Sequence, residues 1–476
     1  MYELVSPVNF AAVTKYTAQI MIGIGGVMVA PLLVALAFGE TSIALLYGAM
    51  GAAVMVLGYM IHRLLPHYEL DWKDAVVIAA IIFPLSSLVS TVPFMMTTGM
   101  APIDAYFEAV SGITTTGLSV APVDVGPVFL FARSWLQWVG GIGIVLIVLS
   151  LPLIHPGTSA IRLYTIHAGD EKPRPSVTST AQLLGTVYIA ITAVAFVILL
   201  YAGMEPFDAL CHALCSVSTG GFSTRPDSIA AFAGTWIWVA AIVAFTLGSV
   251  NFTLYSRAAT TLREAITSPQ LIWFFLIAAG GIVLLAFTLI GTGTGEEVAG
   301  IAIFQGFSAL TTTGYATVDI GTLPATAKAV ITALMWIGGS VGSTAGGIKI
   351  LRVIILARVI HMVFIRFFLP AEALTPLKVG ADVVETEEVH NVLTFISLYS
   401  ACLVVSCFLL MLHGFPMENA LFEVSSALGT VGLSCGITAA SLPLIPKLVL
   451  IANMLLGRIE IIPLAILFFP RTWIRR

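Results

Sequence analysis

The sequence predicts an all-α polytopic membrane protein. It reads as four pseudo-repeats of helix, pore half-helix, loop and helix around a central pore, with two extra transmembrane helices at the N-terminal end. Three observations carry this. Of 476 residues, 58% are hydrophobic and only 10% charged, whereas a soluble globular protein carries about a quarter charged residues. Ten apolar runs approach or exceed the roughly 20 residues that a membrane helix needs. Between them, four shorter apolar segments each lead into a small-residue loop with glycine in one register.

The runs at 18–38 and 42–62 form the extra pair, because no half-helix follows them. The runs at 74–95 and 127–153 flank a half-helix near 103–114, and those at 181–203 and 229–255 flank one near 206–217. The third set is 269–291, 301–311 and 325–365, and the fourth is 389–413, 417–429 and 443–470. Half-helices of about 12 residues are too short to cross, but they suit a segment that dips in and turns back. The turning backbone is tolerated at membrane depth only if protein buries it or it lines a watery cavity. The implied units are 1–70, 71–175, 176–265, 266–385 and 386–476.

The four loops read Thr114-Thr115-Thr116-Gly117, Ser218-Thr219-Gly220-Gly221, Thr311-Thr312-Thr313-Gly314 and Gly429-Thr430-Val431-Gly432. Nine residues before each final glycine stands a polar side chain: Glu108, His212, Gln305 and Glu423. Six before it stands a small one: Ser111, Cys215, Ser308 and Ser426. Shared offsets argue for repeats of one unit. Helix packing through small residues would not produce that register. Four strips of backbone carbonyls around an axis make a cation filter. Glycine supplies the backbone angles such strips need, and each half-helix aims its negative C-terminal dipole end inward.

Charge sets the orientation. Lys15, Arg63, Lys73, Arg162, Lys172, Arg174, Arg257, Arg263, Lys349, Arg352, Arg358, Arg366, Lys378, Arg471, Arg475 and Arg476 fall on one side. Only Arg133, Arg225, Lys328 and Lys447 fall on the other. The first side is then cytoplasmic and carries both termini. The loops open outward, where Asp104, Asp124, Asp208, Asp227 and Asp319 gather. Those carboxylates either concentrate cations at a mouth or are ordinary acidic loop residues.

The 325–365 run is too long for one span, and Gly338-Gly339-Ser340-Val341-Gly342-Ser343-Thr344-Ala345-Gly346-Gly347 interrupts it. Each helical glycine costs about 1 kcal/mol relative to alanine, so a break is expected here. Below the filter such a break sits in the ion path; the alternative is a packing kink. Lys349 ends the run, and Arg458 lies inside the last span. A buried arginine costs at least about 2.5 kcal/mol in a membrane, so it must face protein or water. Both cations repel a passing cation. Lys349 also reads as a snorkelling lysine, and Arg458 as a partner for carbonyls of the broken helix. Glu460, two residues further on, is expected to point elsewhere on the helix.

Other chemistries are poorly supported. Gly338 to Gly342 fits G-x-S-x-G, but no strand precedes it. Ile348 separates Gly347 from Lys349 and breaks the P-loop pattern. The five cysteines form no C-x-x-C pair and read as buried thiols. No basic stripe marks a nucleic-acid site. The N-terminal run reads as a retained helix rather than a signal peptide.

The segments FEAVSGITTTGLS, CHALCSVSTGGFS, FQGFSALTTTGYA and FEVSSALGTVGLS resemble the four pore signatures of the Trk/Ktr/HKT potassium transporter superfamily. So do LQWVGGIGIVLIVLSLP (136–152), IGGSVGSTAGGIKILR (337–352) and GRIEIIPLAILF (457–468). The extra helix pair is similar to the TrkH-type branch. The resemblance implies the ion-conducting subunit for potassium uptake, multi-pass in the cytoplasmic (inner) membrane. Potassium is the transported ion, and no organic cofactor is expected. It implies that Gly338, Gly339, Gly342, Gly346 and Gly347, with Lys349 and Arg458, form an intramembrane gate. Sodium-favouring plant members often carry serine at the first filter glycine, so Gly117 implies potassium preference. Implied partners are a second copy in a homodimer and a cytosolic ring of nucleotide-binding regulatory subunits, with membrane lipids at the basic loops. The competing reading is a sodium- or proton-coupled secondary transporter of another fold, which predicts two broken helices in inverted halves.

Overall fold

The computed structural model describes residues 7–154, 177–258, 263, 266–370, 376–380 and 382–473. The described residues are mostly helical, because apolar backbone in lipid must satisfy its own hydrogen bonds. The extra pair is α1 (Phe10–Val27), α2 (Val29–Ala37) and α3 (Thr41–Leu64). Asn9 caps α1 by accepting from Ala11 and Ala12 N–H at 3.1 and 3.2 Å. Glycines draw the pair together: a Cβ on Gly25 would lie 2.6 Å from Gly51 O, and one on Gly58 2.6 Å from Ala18 O.

A long helix, a shorter and largely buried helix, a loop and a further helix, which is broken in the last three sets, then follow four times. The first set is α4 (Trp72–Thr98), α5 (Pro102–Ile113) and α6 (Pro127–Ile154). The second is α7 (Val177–Tyr201), α8 (Pro206–Val217) and α9 (Thr235–Ser249), with α10 (Phe252–Ala258) beyond it. The third is α11 (Pro269–Thr288), α12 (Gly295–Leu310), α13 (Ala325–Ile337) and α14 (Ile350–Arg366). The fourth is α15 (Thr386–Met411), α16 (Met417–Leu428), α17 (Leu444–Ile459) and α18 (Ile461–Phe468). A two-residue antiparallel hairpin, β1 (Lys378–Val379) with β2 (Asp382–Val383), precedes α15.

Proline opens α5 and α8 at the first helical position, where a missing N–H costs nothing. A capping box of Thr294 and Glu297 opens α12. The four short helices are central and buried, Glu108, His212, Gln305 and Glu423 completely so. The long helices turn Leu45, Tyr201 and Phe287 outward. The interior combines a large apolar core with buried polar side chains around the loops, and the exterior exposes large apolar side chains, as lipid demands.

Each of the ten apolar runs is helical, with four differences from expectation. Among the described residues, six helices are long and apolar enough to cross a membrane, or seven if the bent pair α17–α18 counts as one. The 229–255 run is cut at Val250 and Asn251, leaving α9 with 15 residues. The 325–365 run divides at 338–349, as expected. The 443–470 run bends by 117° at Glu460, a break the sequence reading did not anticipate. The third half-helix is also longer than expected, at 16 residues.

Candidate cation-conduction site

The four loops begin as one helix-ending device. Thr115, Thr219, Thr312 and Thr430 are left-handed, with φ of 53°, 51°, 56° and 50°. Each of these threonines donates its N–H three residues back, to Gly112, Ser216, Ala309 and Ala427 O, at 3.0 to 3.2 Å. The next residue donates five back, to Ser111, Cys215, Ser308 and Ser426 O, at 2.8 to 3.0 Å. This is a Schellman end with threonine where glycine is usual. A left-handed L-residue costs about 1–2 kcal/mol, so the surroundings must hold all four. Gly117, Gly221, Gly314 and Gly432 are left-handed in turn, with φ of 92°, 74°, 83° and 95°.

These glycines show how the loops meet. A Cβ on Gly117 would collide with Gly220 O, one on Gly221 with Thr313 O, and one on Gly314 with Val431 O. One on Gly432 would collide with Thr116 O. Each glycine faces the carbonyl just before the glycine of the next loop, and the fourth faces the first. The loops therefore close a ring in chain order. All four glycines border one cavity of about 650 Å³, which Asp227, Asp319, Arg133 and Arg225 also line.

The ring is braced from behind. Glu108 accepts from Ser119 Oγ at 2.9 Å, Val120 N–H at 3.1 Å and Arg133 Nη1 at 3.1 Å. Glu423 accepts from Ser434 Oγ at 2.7 Å, Cys435 N–H at 3.1 Å and Thr438 N–H at 3.0 Å. His212 Nε2 bonds Ser223 Oγ at 3.0 Å, and Gln305 Nε2 donates to Thr317 Oγ1 at 3.3 Å. Ser111 and Ser426 hydroxyls accept from Gly117 and Gly432 N–H, both at 3.0 Å.

The glycine-rich segment lies against the other end of the loops. Gly346 N–H donates to Thr312 Oγ1 at 2.7 Å. A Cβ on Gly346 would strike Gly429 O and Thr430 Oγ1. Thr344 Oγ1 donates to Val217 O at 2.8 Å, with Gly248 O at 2.9 Å. Gly338, Gly342 and Gly347 take φ of 72°, 78° and 73°, and a Cβ on Gly339 would lie 3.0 Å from Ser249 O. Lys349, left-handed at φ 78°, folds its ammonium back onto Ala345 O. Arg458 donates to Thr344 O at 2.6 Å and to Gly140 O at 3.0 Å.

The family model described as cation transport protein, TrkH, matches residues 62–473. This chain belongs to the TrkH family. It is similar to the Trk system potassium uptake protein TrkH of Halomonas elongata, 31% identical over 462 residues, which span 94% of this chain and 95% of that one. It is 32% identical over 422 residues to TrkG of Escherichia coli K12, covering 85% and 86% of the two chains. The crystal structure of the potassium transporter TrkH from Vibrio parahaemolyticus superposes with a TM-score of 0.86 at 26% identity, covering 98% of this chain and 100% of that one. The chain is thus a multi-pass membrane transport protein rather than an enzyme, and its fold is that of TrkH rather than an inverted-repeat transporter.

In this TrkH-family chain each ring glycine meets the next loop, Gly346 meets loops three and four, Lys349 bonds Ala345 O and Arg458 bonds Thr344 O. Three features were not read from the sequence. The left-handed threonines carry no sequence signal, since threonine disfavours that region. Glu460 does not continue a helix: at φ 60° it ends α17 and bonds Arg352 at 2.7 Å. The four cations on the loop side are paired, Arg133 with Glu108, Arg225 with Asp208, Lys328 with Glu418 and Lys447 with Asp104. Asp104 and Asp208 are thereby ion-paired, and the carboxylates that line the cavity are Asp227 and Asp319.

Proposed function

We propose that the chain is the ion-conducting subunit for potassium uptake across the cytoplasmic membrane. The closed ring of four loops is the observation that carries this reading. Potassium sheds its water at the cavity floor, and carbonyl oxygens of Thr114 to Gly117, Ser218 to Gly221, Thr311 to Gly314 and Gly429 to Gly432 replace it. The names of the Halomonas, Escherichia and Vibrio relatives, all potassium proteins, support potassium as the cargo. The five sequence units become an anchoring helix pair and four pore repeats.

The segment Gly338 to Gly347 acts as the gate. Its hydrogen bonds to Thr312, Val217 and Gly248, and its anchoring by Arg458, support a closed pore. Opening requires it to leave the axis, and Lys349 and Arg458 add a positive barrier while it remains. Both termini are cytoplasmic, the chain pairs as a homodimer, and a cytosolic nucleotide-binding ring drives the gate. Anionic lipids contact the basic loops; loop 162–174 lies outside the described residues. The test is ion influx into liposomes containing the purified protein. Rubidium should enter as a potassium substitute and sodium should lag well behind; equal entry would refute potassium selection.

A further inference from the structure

Loop two departs from the other three at the residue before its ring glycine. That residue is Thr116, Thr313 or Val431 elsewhere, and Gly220 here. Gly220 has no positive φ, so its backbone does not require glycine. What its missing side chain leaves room for is Gln137, delivered from α6 and completely buried. A Cβ on Gly220 would collide with the Gln137 amide, whose Nε2 would lie 2.8 Å away. That Nε2 donates to Gly220 O at 2.6 Å, and Oε1 accepts from Phe222 N–H at 3.2 Å. Gly220 O is the oxygen that Gly117 faces across the ring.

The neighbouring units show the exchange. Gln137 stands three residues before Gly140, which packs on Ile113 O; Gly248 and Gly457 pack likewise on Val217 and Leu428 O. Three residues before Gly248, Gly338 and Gly457 stand Phe245, Met335 and Met454, all apolar and buried. A polar side chain occurs at this offset only in the unit that faces the loop lacking a side chain. A carbonyl has two lone pairs. A donor on one of them fixes the direction of the other.

We propose that Gln137 is a positioning residue for ion selection. Its amide fills the space of the missing side chain of loop two, and it holds Gly220 O and Phe222 N–H so that this quarter of the ring keeps its geometry. The proposal rests on the filter reading given above. Its test is the rubidium-to-sodium influx ratio in liposomes, with Gly117→Ser as the control for that reading. Gln137→Leu keeps the volume and removes the donor; the ratio should fall about fivefold, the scale of one hydrogen bond, while rubidium still enters. Gln137→Ala should do the same, and Gln137→Ala with Gly220→Thr, which rebuilds loop two like loops one and three, should recover the ratio. A parent ratio in conducting Gln137→Leu, with a reduced ratio in Gly117→Ser, overturns the proposal and leaves the filter standing. A parent ratio in both overturns the filter reading itself. Should Gln137→Leu fail to assemble, Gln137→Glu decides. Its carboxyl donates only when protonated, so the ratio should rise as pH falls, and a flat profile overturns the proposal.

Discussion

Arg458 donates from Nη1 to the carbonyl oxygen of Thr344 at 2.6 Å, tying the last long helix to the glycine segment. The same threonine bonds Val217 O through its hydroxyl, and the same arginine bonds Gly140 O. Two side chains therefore join all four repeats at one level. The structural pair with carbonyls of the broken segment is therefore present. The positive charge is the anchor.

Replacing Arg458 with alanine removes two charge-assisted hydrogen bonds, each of about 1.5–3 kcal/mol, together with the charge. Basal rubidium influx should rise. Arg458→Lys should raise it less, since charge stays while the two-pronged donor is lost. Influx at or below the parent level, at matched amounts of assembled protein, would count against an anchored gate.

Gly346→Ala should act in the same direction. Its Cβ has no space between Gly429 O and Thr430 Oγ1, and carbonyl backbone cannot give way cheaply. The segment must withdraw from the ring, and basal influx should rise severalfold. A packing kink forecasts the reverse: an unstable protein with lower influx.

Glu423→Gln probes the braces. An amide offers one acceptor oxygen where Ser434, Cys435 and Thr438 now donate to both. A buried N–H left unmet costs about 1–3 kcal/mol, so thermal unfolding in detergent should come several degrees earlier. His212→Gln retains a partner for Ser223 Oγ and should shift unfolding less. Equal shifts would show that the carboxylate brace has no special weight.

Cysteines placed at Pro122 and Pro226, which line the cavity beside the ring, should react with an impermeant thiol reagent added outside whole cells. One at Pro376 should react only from inside. The opposite pattern would invert the assigned topology.

Much of this was legible because membrane helices and glycine register both leave strong periodic marks. The offsets of Glu108, His212, Gln305 and Glu423 were visible, but their bracing role was not: each partner lies beyond the loop glycine and is reached only once the chain turns back. The left-handed threonines were hidden because their conformation is imposed by the closed ring against local preference. The break at Glu460 was hidden because glutamate is an ordinary helix residue; its partner Arg352 lies on a helix far earlier in the chain. Gln137 was hidden because its meaning depends on a glycine in another repeat.

The central claim is that four loops form one ring of equivalent parts. It is tested most directly by Gly117→Ala, Gly221→Ala, Gly314→Ala and Gly432→Ala, compared side by side for rubidium and sodium influx in liposomes. Each methyl group strikes the carbonyl of the next loop, so all four variants should lose discrimination. A well-assembled, conducting variant among them that keeps the parent ratio would contradict the account.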